Sequence, residues 1–194
     1  MNRDFVGTEP KASDETLMLA YRDGDAGAFD QLYARHRSGL YRFIRRQIGA
    51  DSITDEVFQD VWMRAIDAAK TYEPRAKFVT WLYTIAHNRM MDHFRSTGRA
   101  DLVSIDGDDD NVIELSANEL QRPDTEAGRK QLASRILAAL DTLPAVQREA
   151  FLLQQEGELS VEEIAEATGV NRETAKSRLR YALAKLRRDL AGLA

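Results

Sequence analysis

Residues 160–180, which read SVEEIAEATGVNRETAKSRLR, predict two helices separated by a tight turn. Ser160 and Glu163 have the Ser-x-x-Glu spacing of a capping box, which opens a short helix. Gly169 can supply the left-handed residue that ends this helix, and Asn171 is a suitable N-cap for a longer one. The order of short helix, glycine turn and second helix predicts a helix-turn-helix.

The second of these helices has an apolar side and a basic side. Residues 171–188 carry a net charge of +6, while Ala175, Leu179 and Leu186 recur at helical spacing and are expected to face a core. Such a helix can place its first turns in the major groove of duplex DNA, where Arg and Lys contact guanine edges or phosphates. The candidate contacts are Arg172, Thr174, Lys176, Ser177 and Arg180. The pattern alone fits an ordinary helical hairpin with a solvated basic face equally well.

Upstream of this unit, apolar residues also recur at helical spacing. Residues 29–48 carry one apolar face, for which Asp25 is the expected N-cap and Gly49 the expected end. A helix that is apolar over a wide arc follows Ser52, its expected cap, and another spans residues 78–94. No alternating strand pattern competes with these helices.

Charge divides the chain into blocks. Residues 75–99 have a net charge of +4, and residues 100–126 have a net charge of −8 and contain no aromatic residue. The acidic block cannot bury enough apolar surface to offset its chain entropy, so it is predicted to be a flexible linker, with a plain solvated loop as the alternative. After it, apolar positions predict one helix that stops at Pro144 and another over residues 146–153.

The sequence therefore predicts an all-α fold of two small helical domains. Its predicted parts are a flexible N-terminal tail (1–13), an N-terminal domain (14–98), an acidic linker (99–131) and a C-terminal domain containing the helix-turn-helix (132–194).

Composition excludes several classes of protein. The 194 residues contain no cysteine, which excludes disulfide frameworks and cysteine-based zinc sites. No run approaches the roughly 20 apolar residues that span a bilayer, so we expect no membrane insertion and a cytoplasmic location.

Three motifs in order resemble those of bacterial sigma factors, specifically the small two-domain extracytoplasmic-function group of the sigma-70 family. The motifs are DEVFQDVW at 55–62, FVTWLYTIAHNR at 78–89 and the helix-turn-helix. The resemblance covers about residues 25–190 and implies a sigma region 2 helical bundle followed by a sigma region 4 helix-turn-helix. It implies a protein that binds core RNA polymerase, directs it to promoters through −35 and −10 elements, and assists promoter melting.

The resemblance also implies a role for each block of residues. The helix carrying Asp55, Glu56, Gln59 and Asp60 is expected to dock on the β′ clamp helices of core polymerase. The β subunit of the polymerase is a further expected partner. Carboxylates near the start of this helix also favour its dipole.

The loop at 71–77 and the helix after it are expected to read the −10 element as single-stranded DNA, because they offer aromatic faces and a basic track. The candidate residues are Tyr72, Arg75, Lys77, Trp81, Asn88, Arg89 and Arg95, although the spacing of Trp81 also fits core packing.

At the −35 element, the resemblance adds Tyr181 to the candidate duplex contacts. It further implies that the acidic linker lies in basic channels of the polymerase and that an anti-sigma factor is a partner.

Two other classes of function fit the sequence less well. A stand-alone repressor or activator would use the helix-turn-helix as a dimer on a palindrome, but it has no need of the acidic helix followed by an aromatic and basic loop. An enzyme would need a catalytic constellation, and the sequence offers no catalytic residue, no metal site, no cofactor motif and no phosphate-binding glycine loop. The three histidines, His36, His87 and His93, are expected to face solvent or cap helices.

Overall fold

The computed structural model describes residues 12–98 and 126–191, and this part of the chain is helical with no strand. Most of the predicted N-terminal tail and residues 99–125 of the predicted linker lie outside the described residues. The all-α fold class is confirmed.

The N-terminal domain contains four helices and a short 3-10 turn. They are α1 (Asp14–Arg22), α2 (Ala26–Ile48), α3 (Asp51–Ala68), the 3-10 turn Ala69–Thr71 and α4 (Phe78–Ser96). Leu32, Phe43, Ile44, Val57 and Leu82 are fully buried between α2, α3 and α4 and form the centre of its core.

Local sequence signals set the ends of these helices. The Asp25 side chain accepts hydrogen bonds from the backbone N–H groups of Gly27 and Ala28, and Gly49 ends α2 in the left-handed conformation. The expectation for α3 was wrong in detail, since its N-cap is Ala50 and Ser52 lies inside the first turn.

Helix α1 was not predicted from the sequence, and it has a structural role at the start of α4. Lys77, the N-cap of α4, makes no capping hydrogen bond with its side chain. Instead, the backbone N–H of Phe78 donates to Glu15 Oε1 on α1 at 2.8 Å. Partial burial works against ionisation of Glu15, but the hydrogen bonds from the Phe78 backbone, its own backbone N–H and the Ser13 side chain together outweigh it, so the pKa of Glu15 is lowered.

The C-terminal domain consists of α5 (Glu126–Asp141), α6 (Ala145–Gly157), α7 (Val161–Thr168) and α8 (Arg172–Leu190). Helix α5 begins at Glu126, six residues before the predicted start of the C-terminal domain at residue 132. Residues 126–131 are mostly polar, so apolar periodicity gave no signal for this first part of α5.

The predicted helix-turn-helix is formed by α7 and α8. Ser160 and Glu163 make both hydrogen bonds of the capping box, and Gly169 ends α7 at a φ of 67°. The Asn171 side chain accepts from the backbone N–H of Thr174 and caps α8.

The two domains pack against each other, with α6 lying on α2 and α7 lying on α4. Tyr83 on α4 is 1% exposed at this boundary and lies against Gly157 of α6. A Cβ at Gly157 would lie 3.1 Å from the Tyr83 ring, and a Cβ at Gly39 would lie 2.8 Å from the backbone oxygen of Glu156. Both glycines therefore permit a close approach between the domains.

Candidate functional site

The predicted docking residues lie on one side of α3. Asp55, Glu56 and Gln59 are exposed and Asp60 is partly exposed, as their spacing on a helix requires. The Tyr41 hydroxyl donates to Asp55 Oδ1 at 3.0 Å, which raises the pKa of Tyr41. This side of α3 therefore presents several carboxylates to solvent.

Sequence reasoning did not identify Met63, which lies on the same side of α3 and is 56% exposed. Its position, seven residues after Glu56 and four after Gln59, gives it the same helical face. An open groove between α2 and α3 is lined by aromatic rings and by polar side chains of α2: Tyr33, Arg37, Ser38, Tyr41, Arg42 and Phe58. The carboxylates are thus combined with exposed apolar surface, a composition suited to a protein interface.

Arg89 joins this acidic face to α4. Its Nε atom donates to Asp60 Oδ2 at 2.7 Å and its second guanidinium nitrogen to Glu56 Oε1 at 3.0 Å. The side chain is only 12% exposed. Arg89 was predicted to contact DNA, and the structure places it instead between two of the predicted docking residues.

The predicted −10 residues are divided between the surface and the interior. Tyr72 is 4% exposed and its ring lies 5.1 Å from that of the partly buried Trp81. Burial raises the pKa of Tyr72 to about 12. These two aromatic rings thus belong to a packed cluster that also includes Phe78, so a base could reach them only after a local rearrangement.

Four of the predicted −10 residues are exposed: Arg75, Lys77, Asn88 and Arg95. Arg75 pairs with its neighbour Glu73, and Arg95 pairs with Asp92 one turn away. Surface pairs of this kind are weak and can be exchanged for phosphate contacts. Lys77 differs, because its Nζ lies 2.9 Å from Glu163 Oε1 of the C-terminal domain.

The predicted −35 residues occupy the first turns of α8. Arg172, Lys176 and Arg180 are exposed, whereas Thr174, Ser177 and Tyr181 are partly buried. Arg172 donates to Glu162 on α7, and the Arg180 guanidinium lies 5.0 Å from the centre of the Tyr181 ring. The beginning of α8 therefore presents a basic surface whose backbone is fixed by the Asn171 cap.

The expectation for two histidines was wrong. His36 Nε2 lies 2.6 Å from Asp14 Oδ2, and His87 Nδ1 lies 2.7 Å from Glu149 Oε1. Both side chains are largely buried, and each meets a carboxylate of a distant segment. Residues 12–98 and 126–191 contain no group of three His, Asp or Glu side chains that could hold a metal ion, and no helix there is long and apolar enough to cross a membrane.

Comparison with known proteins matches both domains. Residues 32–100 match the family described as Sigma-70 region 2, and residues 133–186 match the family described as Sigma-70, region 4. The RNA polymerase sigma factor CarQ of Myxococcus xanthus is 30% identical over 91% of this chain and 97% of its own. The ECF RNA polymerase sigma factor RpoE of Cereibacter sphaeroides is 30% identical over 90% of this chain and 93% of its own.

Solved structures show the same arrangement of helices. CnrH in complex with the cytosolic domain of CnrY is 26% identical with a TM-score of 0.66, covering 94% of this chain and 100% of that chain. The sigma factor RpoE in complex with the anti-sigma factor NepR, from Bartonella quintana, is 25% identical with a TM-score of 0.63, covering 84% of this chain and 96% of that chain.

The match to Sigma-70 region 2 covers residues 32–100, a domain that a stand-alone repressor would lack. Together with the helix-turn-helix and the relatives that match along both domains, it shows that this chain belongs to the extracytoplasmic-function group of the sigma-70 family and is an RNA polymerase sigma factor that directs promoter-specific transcription initiation.

Proposed function

We propose a division of labour among three surfaces of this sigma factor. The acidic side of α3 docks on the β′ clamp helices of core polymerase, the loop at 71–77 with α4 binds the −10 element as a single strand, and the first turns of α8 read the −35 element as duplex. The observation that carries this proposal is the separation of charge: exposed carboxylates on α3, and exposed cations in the 71–77 loop, at Arg95 of α4 and on α8.

Docking through α3 is supported by the exposure of Asp55, Glu56 and Gln59 beside the apolar Met63. Carboxylates speed the encounter with a basic partner and fix its register, while apolar contacts supply affinity. We assign Arg89 a positioning role here, because it holds Glu56 and Asp60 at fixed distances before docking.

Reading of the −10 element is supported by the exposed Arg75, Asn88 and Arg95, which lie on the same loop and helix as the cluster of aromatic rings. Cations can follow the phosphates, and an aromatic ring can stack on an unpaired base. The buried position of Tyr72 implies that capture of a flipped base requires the 71–77 loop to move.

Reading of the −35 element is supported by Arg172, Lys176 and Arg180, which are exposed on the early turns of a capped helix. Arg and Lys at these positions can contact guanine edges or phosphates, while Thr174 and Ser177 offer permissive hydroxyl contacts.

Regulation by an anti-sigma factor is a further part of the proposal. It is supported by the two solved relatives, one in complex with the cytosolic domain of CnrY and the other with the anti-sigma factor NepR. We also propose that the protein acts in the cytoplasm, where RNA polymerase works, and that catalysis belongs to the polymerase.

The test is promoter-dependent RNA synthesis by purified protein and core polymerase free of other sigma factors, on a promoter library. The variant Asp55→Lys/Glu56→Lys should lose both core binding and transcripts. The matched control Asp23→Lys/Asp30→Lys reverses two exposed carboxylates outside α3 and should retain both activities. Equal loss of core binding and transcription in the two variants would show that docking depends on the overall charge of the protein rather than on the α3 surface.

A further inference from the structure

Helix α1 contacts both ends of the loop at 71–77, which we call the −10 loop. It packs beside the 3-10 turn that precedes this loop and beside α4, which follows it. The backbone N–H of Phe78 donates to Glu15 Oε1 at 2.8 Å, and Arg22 Nη1 donates to the backbone oxygen of Tyr72 at 3.5 Å. We call Glu15 and Arg22 the α1 brace.

One side of α1 carries both residues of the brace. Glu15 and Arg22 are seven residues apart, which places them on the same side of the helix and about 10 Å apart along its axis. The two ends of the −10 loop are also close to each other, because the ring centres of Tyr72 and Phe78 lie 6.4 Å apart. A single helix can therefore hold both ends of the loop.

The brace is fixed to the N-terminal domain by apolar side chains of the same helix. Leu17 and Met18 lie between the two brace residues in the chain and are buried in the core. At the start of α4, the Glu15 carboxylate supplies the cap that the Lys77 side chain does not make, and its charge favours the N-terminal end of the helix. The brace thus connects the loop to the domain core.

The middle of the −10 loop faces solvent. Glu73, Pro74 and Arg75 are exposed, and Arg75 pairs with Glu73 of the same loop. Because the ends are held, movement of the loop is confined to the segment between them and to side chains. A loop that is ordered before it binds loses less conformational entropy on binding, so its affinity for a strand is higher.

We propose that the α1 brace positions the −10 loop for capture of the melted strand. Glu15 and Arg22 are positioning residues in this proposal, since they act through the ends of the loop and not by contact with DNA. The proposal rests on the proposed −10 site and adds to it a helix outside that site. Glu15 has the larger effect, because its hydrogen bond is shorter than that of Arg22.

Substitutions at Glu15 can separate the hydrogen bond from the presence of a long side chain. Glu15→Met keeps the length and removes the acceptor, while Glu15→Gln keeps an oxygen that can accept from Phe78. Methionine and glutamine both favour helix, so α1 should remain helical in either variant. The matched control is Ile48→Val, which removes a buried methyl group at the end of α2 and should cost a similar amount of stability.

The first measurement is amide hydrogen exchange in the full-length free protein. In Glu15→Met the Phe78 amide should exchange at least fivefold faster than in the wild type, because it has lost its acceptor. In Glu15→Gln it should remain protected. Ile48→Val should change the Phe78 amide no more than the other amides of α4.

The second measurement follows strand capture by the holoenzyme. A promoter recovered from the library carries 2-aminopurine in its −10 element, and a second version is premelted there by mismatches. Glu15→Met should slow the fluorescence rise and weaken binding of the premelted promoter by about fivefold, and Arg22→Met by about twofold. Glu15→Gln should stay within twofold of the wild type, Ile48→Val should match it, and all four variants should bind core polymerase normally.

Several results would overturn the proposal. Unchanged exchange at Phe78 in Glu15→Met would show that the hydrogen bond is not made, and faster exchange with unchanged strand capture would make Glu15 a structural residue only. Equal loss of capture in Ile48→Val would trace the effect to stability, and equal loss in Glu15→Gln would trace it to charge.

Failure of the proposed function has a separate indicator. Arg75→Gln/Arg95→Gln changes two exposed cations of the proposed −10 site. If this variant binds the premelted promoter as tightly as the wild type does, the −10 site itself is refuted and the positioning role of α1 is refuted with it. If it binds weakly while Glu15→Met binds normally, only the role of the brace is refuted.

Discussion

Replacing Arg89 with methionine should weaken the contact between α3 and α4 while preserving most of the side-chain volume. Arg89 lies 2.7 Å from Asp60 and 3.0 Å from Glu56, and its side chain is nearly buried. Both carboxylates are substantially exposed, so solvent screens them and the Coulomb energy must be discounted accordingly.

The expected magnitude follows from these exposures. Ion pairs with exposed partners contribute about 0.2–1 kcal/mol each. We therefore expect a coupling free energy of about 0.7 kcal/mol between Arg89 and Asp60, and about 0.3 kcal/mol between Arg89 and Glu56, which is the more exposed carboxylate. Arg89→Met should lower the free energy of unfolding of the N-terminal domain by about 1 kcal/mol.

The assay is a double-mutant cycle with Arg89→Met and Asp60→Asn, measured by urea unfolding. Both tryptophans of the chain, Trp62 and Trp81, lie in the N-terminal domain, so their fluorescence reports its unfolding. At an m-value of about 2 kcal/mol/M, the single variant should shift the midpoint by ~0.5 M.

The control cycle uses Arg95 and Asp92, an exposed pair within α4. Asp92 also lies 3.7 Å from Arg64 of α3, and the double-mutant cycle cancels that contact. Its coupling should be about 0.3 kcal/mol. A coupling between Arg89 and Asp60 no greater than this control would refute the positioning role of Arg89. The DNA role predicted from the sequence would be supported if Arg89→Met also weakened binding of a fluorescein-labelled single-stranded DNA 15-mer of random sequence.

Three further outcomes are expected. Asn171→Ala should lower the stability of the C-terminal domain by about 1 kcal/mol and weaken duplex binding, and Asn171→Ser should restore both, as measured by circular dichroism in urea and by fluorescence anisotropy. Because the folded-state pKa of Glu15 is lowered by the backbone N–H of Phe78, its stabilising contribution is present above its ordinary pKa of 4.5 and is lost as the pH falls through the folded value. Glu15→Gln should therefore reduce the loss of stability between pH 6 and 3 in urea titrations at fixed pH, and an unchanged slope would contradict the capping role. Lys176→Gln should reduce the salt dependence of duplex binding by about one unit of slope, whereas Lys130→Gln on α5 should leave that slope unchanged.

Local signals in the sequence predicted the helix ends well. Asp25, Gly49, Gly169 and Asn171 act through backbone groups within four residues of themselves, so their roles can be recognised in a single sequence. Ser52 shows the limit of this reasoning, because a suitable cap residue can equally lie inside the first turn when the chain enters the helix earlier.

Contacts between distant segments could not be predicted in the same way. His87 has the spacing of a surface residue on α4, and only the packing of α6 brings Glu149 to it. Arginine is a residue type that commonly contacts phosphate, but the guanidinium of Arg89 pairs with Asp60 and Glu56, which are 29 and 33 residues earlier in the chain. Helix periodicity specifies which side of a helix a residue occupies and gives no information on which helix covers that side.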